Sequence, residues 1–167
     1  TILYKINKKK IIEIPPYIKP IKVNNYNSSK ANNEVFTIGF IGRICPEKGL
    51  EYLIKASEIL KIKNINHLIK IAGNTKDSRF QNYINKLKKM SKSNQNIFFL
   101  GNINEKDKED FYRNIDVLVL PSVNSFEAFG IVQLEEMSFG TPVISSNLRG
   151  VRTVINNTGN GVYSTSK

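Results

Sequence analysis

From Val35 to Tyr163 the sequence alternates short β-rich runs with stretches whose apolar residues recur at helical spacing. A chain built this way has few options. Strand, helix and strand repeated in order predict a parallel sheet with helices on both faces, a Rossmann-like α/β fold. Strands are expected at Val35 to Ile41, His67 to Ala72, Asn96 to Leu100, Asp116 to Leu120, Thr141 to Ser145 and Gly161 to Tyr163. The run ending at Leu120 is almost continuously apolar, which suits a strand buried on both faces. Leu50, Leu53, Ile54 and Leu60 mark a helix over Gly49 to Lys63, with Glu51 and Lys55 paired on its polar face. Phe80, Tyr83, Ile84, Leu87 and Met90 mark a second, and Asn104 can cap a third that runs through Phe111 and Ile115. A fourth is expected over Ala128 to Phe139, stopped by Gly140, and a short one near Val151 to Ile155. Ligands of such sheets bind beyond the carboxyl ends of the strands, so the chemistry is expected there.

The 167 residues suffice for one domain with a real core. Residues 1–34 read as a lead-in, with one short strand over Lys10 to Ile14 and linker around it, and residues 35–167 as the domain proper. A net charge of +11 would attract nucleic acid, anionic lipid or phosphorylated small molecules alike. Its lysines are dispersed and not interleaved with aromatics as in a single-strand stacking platform, so nucleic acid is not an expected partner. Peripheral contact with an anionic membrane surface stays open. No apolar run approaches the ~20 residues of a membrane helix, and no charged-then-apolar leader is visible. Cys45 is the only cysteine, so it makes no internal disulfide, and nothing clusters with it as a metal site. His67, set among apolar residues, is expected to be structural. These features fit a reducing, cytoplasmic setting. The first residue is Thr1, which leads to the expectation that the natural start lies upstream.

Two strand ends carry the chemistry. After the first strand, Gly42 lets the chain turn, and Arg43 and Lys48 fall in one short loop. Such a pair can converge on a diphosphate, Arg as a fork and Lys as a point charge; a solvent-facing loop with incidental charges is the alternative. After the fourth strand, Glu127-Ala128-Phe129-Gly130-Ile131 leads straight into a helix that also holds Glu135. Glu127 can serve as a simple dipole partner, while Gly130 at the helix start leaves amides open to an anion. Glu135 lies eight residues beyond Glu127, which at helical rise sets the two acids ~12 Å apart along the axis, roughly the span from a sugar across two phosphates to a ribose.

Gly42-Arg43, Lys48-Gly49, Glu127-Ala128-Phe129-Gly130 and Glu135, in this order, resemble the family-4 (group 1) retaining glycosyltransferases of GT-B fold. Ala72-Gly73, Phe99 to Ile103, Asp116 to Ser122, Gly140 to Ser146 and Asn160-Gly161 are similar to family segments too. The resemblance covers about residues 35–163 and implies the C-terminal, nucleotide-sugar-binding half of such an enzyme.

It also implies roles. Arg43 and Lys48 would hold the diphosphate and steady its charge as the sugar leaves, and Glu127 would bind hydroxyls of the donor sugar; these three are the expected catalytic residues. Phe129, Gly130 and Ile131 would offer amides to the sugar or distal phosphate, Glu135 would accept from the ribose hydroxyls, and Ile103 would touch the base. The donor would be a UDP- or GDP-linked hexose, passed to a glycan, lipid-linked or other acceptor. No cofactor or metal is expected, since the cations and helix start do the work a metal does elsewhere. The acceptor-binding N-terminal domain would be missing, the C-terminal end truncated, and the fragment alone inactive. Where the family shows Gly-Gly followed by Glu, this chain has Arg149-Gly150 and Thr153, so no role passes to Arg149 or Thr153. Glu136 points ~100° from Glu135 on a helix and reads as structural or solvated. The alternative is a non-catalytic nucleotide-binding module, a diverged pseudoenzyme.

Overall fold

A computed structural model describes residues 35–124 and 127–164, together with residues 12, 14 and 16–18. The strands are β1 (Phe36–Ile41), β2 (His67–Ala72), β3 (Ile97–Gly101), β4 (Val117–Leu120), β5 (Val143–Ser145) and β6 (Gly161–Tyr163). They form one six-stranded sheet in the order β3-β2-β1-β4-β5-β6, and every pairing is parallel. The helices are α1 (Leu50–Ile62), α2 (Gln81–Ser91), α3 (Glu105–Arg113), α4 (Val132–Ser138) and α5 (Arg149–Thr158). This is the expected Rossmann-like arrangement. The strand expected over Lys10 to Ile14 lies outside the described residues, apart from Ile12 and Ile14, which are exposed and not in a strand.

Strand alternation divides the core in two. Ile38 and Phe40 of β1, Ile69 and Ile71 of β2 and Val117 of β4 face α1 and α2, meeting Leu50, Leu53, Ile54, Ile84 and Leu87. Ile41 and Leu118 turn the other way, towards Phe111, Tyr112 and Ile115 in and after α3, with Val132 and Met137 of α4 packed beside them. His67 sits under α1 as a structural residue. Its Nδ1 lies 2.8 Å from the Ile65 carbonyl, an acceptor only, so that nitrogen carries the proton. Nε2 then accepts from Ser57 Oγ at 2.7 Å, and Asn94 Nδ2 donates to the same hydroxyl at 3.0 Å. Cys45 is buried, and burial followed by the neighbouring Glu47 pushes its thiol up, away from thiolate reactivity. Among the described residues no helix is long and apolar enough to cross a membrane.

Three helices differ from expectation. Helix α3 ends at Arg113, so Ile115 follows it and does not lie within it. Helix α5 runs over ten residues, longer than the short turn expected, and begins at Arg149. Helix α4 begins at Val132 rather than Ala128. The cause is Gly130, whose φ of 69° is left-handed and cannot continue a right-handed helix. An added Cβ there would also lie 2.6 Å from Leu120 Cδ2. Glu127 therefore precedes the helix that carries Glu135, and the ~12 Å axial spacing of one continuous helix does not apply.

Candidate functional site

The chain runs outward from β1 in both directions, through β2 to β3 on one side and β4 to β6 on the other. The loops leaving β1 and β4 therefore part at the point where strand order reverses, and such a crevice is where sheets of this kind take ligands. Here the two loops are joined. Val123 N donates to the Glu47 carbonyl at 2.9 Å, and Gly49 lies so close to Pro121 that a Cβ would come 2.3 Å from its carbonyl oxygen.

That junction brings Lys48 to Glu127. Lys48 Nζ pairs with Glu127 Oε2, and Ser122 Oγ donates to the same oxygen at 3.0 Å. Both charged side chains are mostly sheltered and Ser122 is buried, so this carboxylate is held by one cation and one hydroxyl in a partly dry setting. Expected to join Arg43 on a diphosphate, Lys48 is here turned to the acid that was expected to bind the sugar.

Arg43 is exposed and lines an adjoining pocket of about 440 Å³ with Asp77, Ile103, Asn104 and Lys108. Arg79 grips Asp77 through two bonds, of 3.0 and 2.8 Å, and holds its carboxyl below the usual range. Asn104 caps α3, its side chain accepting from Lys106 N at 2.9 Å and Asp107 N at 3.0 Å. Glu135 reaches the pocket through α3: Lys108 Nζ stands 3.6 Å from its Oε1, and Tyr112 Oη donates to its Oε2 at 2.6 Å. Burial works against the charge on Lys108, but Glu105 and Glu135 outweigh it and hold its ammonium above the usual lysine range.

The expected residues thus fall into two linked groups, Lys48 with Glu127 and Arg43 with Ile103, with Glu135 joined to the pocket wall by Lys108. Phe129, Gly130 and Ile131 lie in the loop before α4. Buried Gln133 tethers that loop, its Nε2 donating to the Phe129 carbonyl at 2.9 Å and to Val151 O at 3.2 Å. Gly150 backs onto it from α5, where an added Cβ would be 1.8 Å from Ala128 O. Arg149 is exposed, and Thr153 Oγ1 bonds its carbonyl within the helix. Glu136 is wholly buried, hence structural rather than solvated. Ser125 and Phe126 lie outside the described residues. Sequence reasoning missed Ser122, Tyr112 and Lys108. Ser122 follows the strand-ending Pro121 and so stood at a place where site residues gather, but the partners of Tyr112 and Lys108 on α4 leave no local signal. Among the described residues, no group of three or more His, Cys, Asp or Glu is placed to hold a metal ion.

Residues 23–167 match the family described as glycosyl transferases group 1. An uncharacterized glycosyltransferase of Methanocaldococcus jannaschii is 35% identical over 143 residues, 85% of this chain and 35% of that protein. A capsular polysaccharide biosynthesis glycosyltransferase of Staphylococcus aureus is 31% identical over 128 residues, 76% of this chain and 32% of that one. In the crystal structure of the C-terminal domain of a group 1 family glycosyl transferase from Francisella tularensis, 68% of that chain matches 79% of this one, with a TM-score of 0.62 and 26% identity. The chain spans about a third of the length of the curated relatives it matches.

Proposed function

The chain belongs to the group 1 glycosyltransferases and carries the Rossmann-like fold of GT-B C-terminal domains, and from that premise we propose that residues 35–167 bind the nucleotide-sugar donor of a retaining hexosyltransferase. The observation that carries this reading is the Lys48–Glu127–Ser122 contact at the β1/β4 switch point. It sets a cation suited to a phosphate beside a carboxylate suited to sugar hydroxyls. An ammonium has three N–H donors, and Glu127 engages one, so Lys48 can hold a phosphate oxygen without releasing its partner. Arg43, on the wall of the adjoining pocket, meets the diphosphate from the other side. As the bond from sugar to diphosphate breaks, negative charge grows on the departing oxygen, and fixed cations there lower the barrier. Glu127 orients the sugar through its hydroxyls. Phe129, Gly130 and Ile131 offer backbone amides to the sugar or the distal phosphate, Glu135 takes the ribose, and Ile103 borders the base.

The two cations supply the charge a divalent ion gives other transferases, so nucleotide affinity is expected to survive EDTA; its loss would contradict the metal-free assignment. Residues 35–167 correspond to only about a third of the length of the curated relatives, and by themselves they are expected to bind donor without transferring sugar. A thermal-shift panel of UDP- and GDP-linked sugars tests the donor role. At a hundred times the dissociation constant a true donor stabilises the fold by about 2.7 kcal/mol. A panel in which no nucleotide sugar moves the melting temperature would overturn it.

A further inference from the structure

Tyr112 is among the largest wholly buried side chains of the chain, and a buried hydroxyl is costly unless bonded. A phenylalanine would fill the same space at no such cost. Its ring is locked, stacked on Phe139 at 5.4 Å between centroids and edge-on to Phe111 at 5.7 Å. Its hydroxyl goes to Glu135 Oε2 at 2.6 Å. Burial, and then Glu135 itself, push the phenol far above its usual range, so it stays a donor at any working pH. Glu135 Oε1 faces Lys108, which lines the pocket and lies 3.0 Å from Glu105. One oxygen of the carboxylate is thus pinned by a rigid neutral donor and the other is turned to a flexible cation on the pocket wall.

We propose that Tyr112 is a positioning residue: its hydroxyl fixes Glu135 by Oε2 so that Oε1 meets the ribose hydroxyls of the donor nucleotide, with Lys108 the partner those hydroxyls replace. The inference rests on the donor-binding reading above. A free glutamate side chain turns about three bonds, and ordering it at the moment of binding costs affinity; a carboxylate already held does not incur that loss.

Calorimetry with a ribonucleoside diphosphate and its 2′,3′-dideoxy counterpart tests it, using UDP and GDP on the wild-type chain, Tyr112→Phe and Lys108→Met. The wild type is expected to prefer the ribose form by about 10-fold or more, the worth of a charged hydrogen bond. Tyr112→Phe is expected to lose most of that preference while keeping the dideoxy affinity. Lys108→Met is expected to keep the preference, because it leaves the tyrosine bond intact. Tyr112→Phe retaining the full preference, or losing both ligands alike as a purely structural residue would, overturns the proposal. If Tyr112→Phe does not fold, Lys108→Met decides: a preference that persists supports Tyr112 as the anchor, and one that collapses places the positioning on Lys108. A wild type that binds neither nucleotide sinks the donor-domain reading itself, whereas one that binds both forms of a nucleotide equally overturns the Tyr112 proposal alone.

Discussion

Glu127 Oε2 receives Ser122 and Lys48 from elements that meet only in the fold; Lys48 lies 79 residues away in sequence. Spacing alone therefore gave no sign of the contact between Lys48 and Glu127. Read along the chain, Arg43 and Lys48 share a loop and look like two jaws on one anion. Only the contact between the Glu47 and Val123 backbones shows that the far end of that loop abuts the acid. Ser122→Ala removes the neutral donor and keeps the ion pair. Losing one hydrogen bond to a charged group, worth roughly 1.5–3 kcal/mol, it is expected to weaken nucleotide-sugar binding by about 10-fold or more. Sugar-free nucleotide should bind as before, and calorimetry with the two ligands checks the split. The His67 site was legible as structural because an isolated histidine in an apolar strand has little else to do. Ser57→Ala leaves both His67 Nε2 and Asn94 Nδ2 short of a buried partner, a cost of about 1–3 kcal/mol. The melting temperature should fall by roughly 2–4 °C per kcal/mol, read by differential scanning calorimetry. An unchanged melting temperature would remove the network from the account of stability.

The alternation of β-rich runs and 3.6-residue periodicity placed all six strands of the domain to within a residue or two, because each run is bounded by glycine, proline or a cap. The start of α4 was not legible. Residues 128–131 are compatible with helix in composition, and only the close approach of Gly130 to Leu120 reveals that the backbone turns left-handed there. The cap of α3 was legible, since asparagine before a charged first turn is a strong local signal. Helix α3 delivers Lys108 and Tyr112 to Glu135, so its cap bears on the site. Asn104→Ala should cost about 1 kcal/mol, while Asn104→Asp keeps an acceptor and should cost less. Guanidinium chloride unfolding of the two variants checks the order. Equal losses would mean that Asn104 acts through the pocket it lines rather than as a cap.

Across the whole molecule, the parallel sheet directs attention to the carboxyl ends of its strands, and the strand order picks out the two loops that carry the candidate site. Burial and Glu51 hold the Tyr83 phenol up as burial and Glu135 hold Tyr112, and Lys108 is raised with them. All three keep their protons more tightly folded than unfolded. Their stabilisation is complete below the unfolded values, about 10 for both residue types, and is lost as pH climbs towards the higher folded ones. The melting temperature should therefore hold between about pH 7 and 9 and fall above about pH 10, less steeply in Tyr112→Phe. In the proposed function one crevice holds the phosphates by its cations and the sugar by Glu127. Titrating a nucleoside diphosphate and the matching nucleotide sugar into wild type, Arg43→Ala and Glu127→Ala in a calorimeter separates the two roles. Arg43→Ala should weaken both ligands by about 10–100-fold, the worth of a charged fork. Glu127→Ala should weaken only the nucleotide sugar and leave the sugar-free nucleotide equal or tighter, since it frees Lys48 for the phosphates. Loss of the sugar-free nucleotide in Glu127→Ala as severe as in Arg43→Ala would remove the sugar from Glu127.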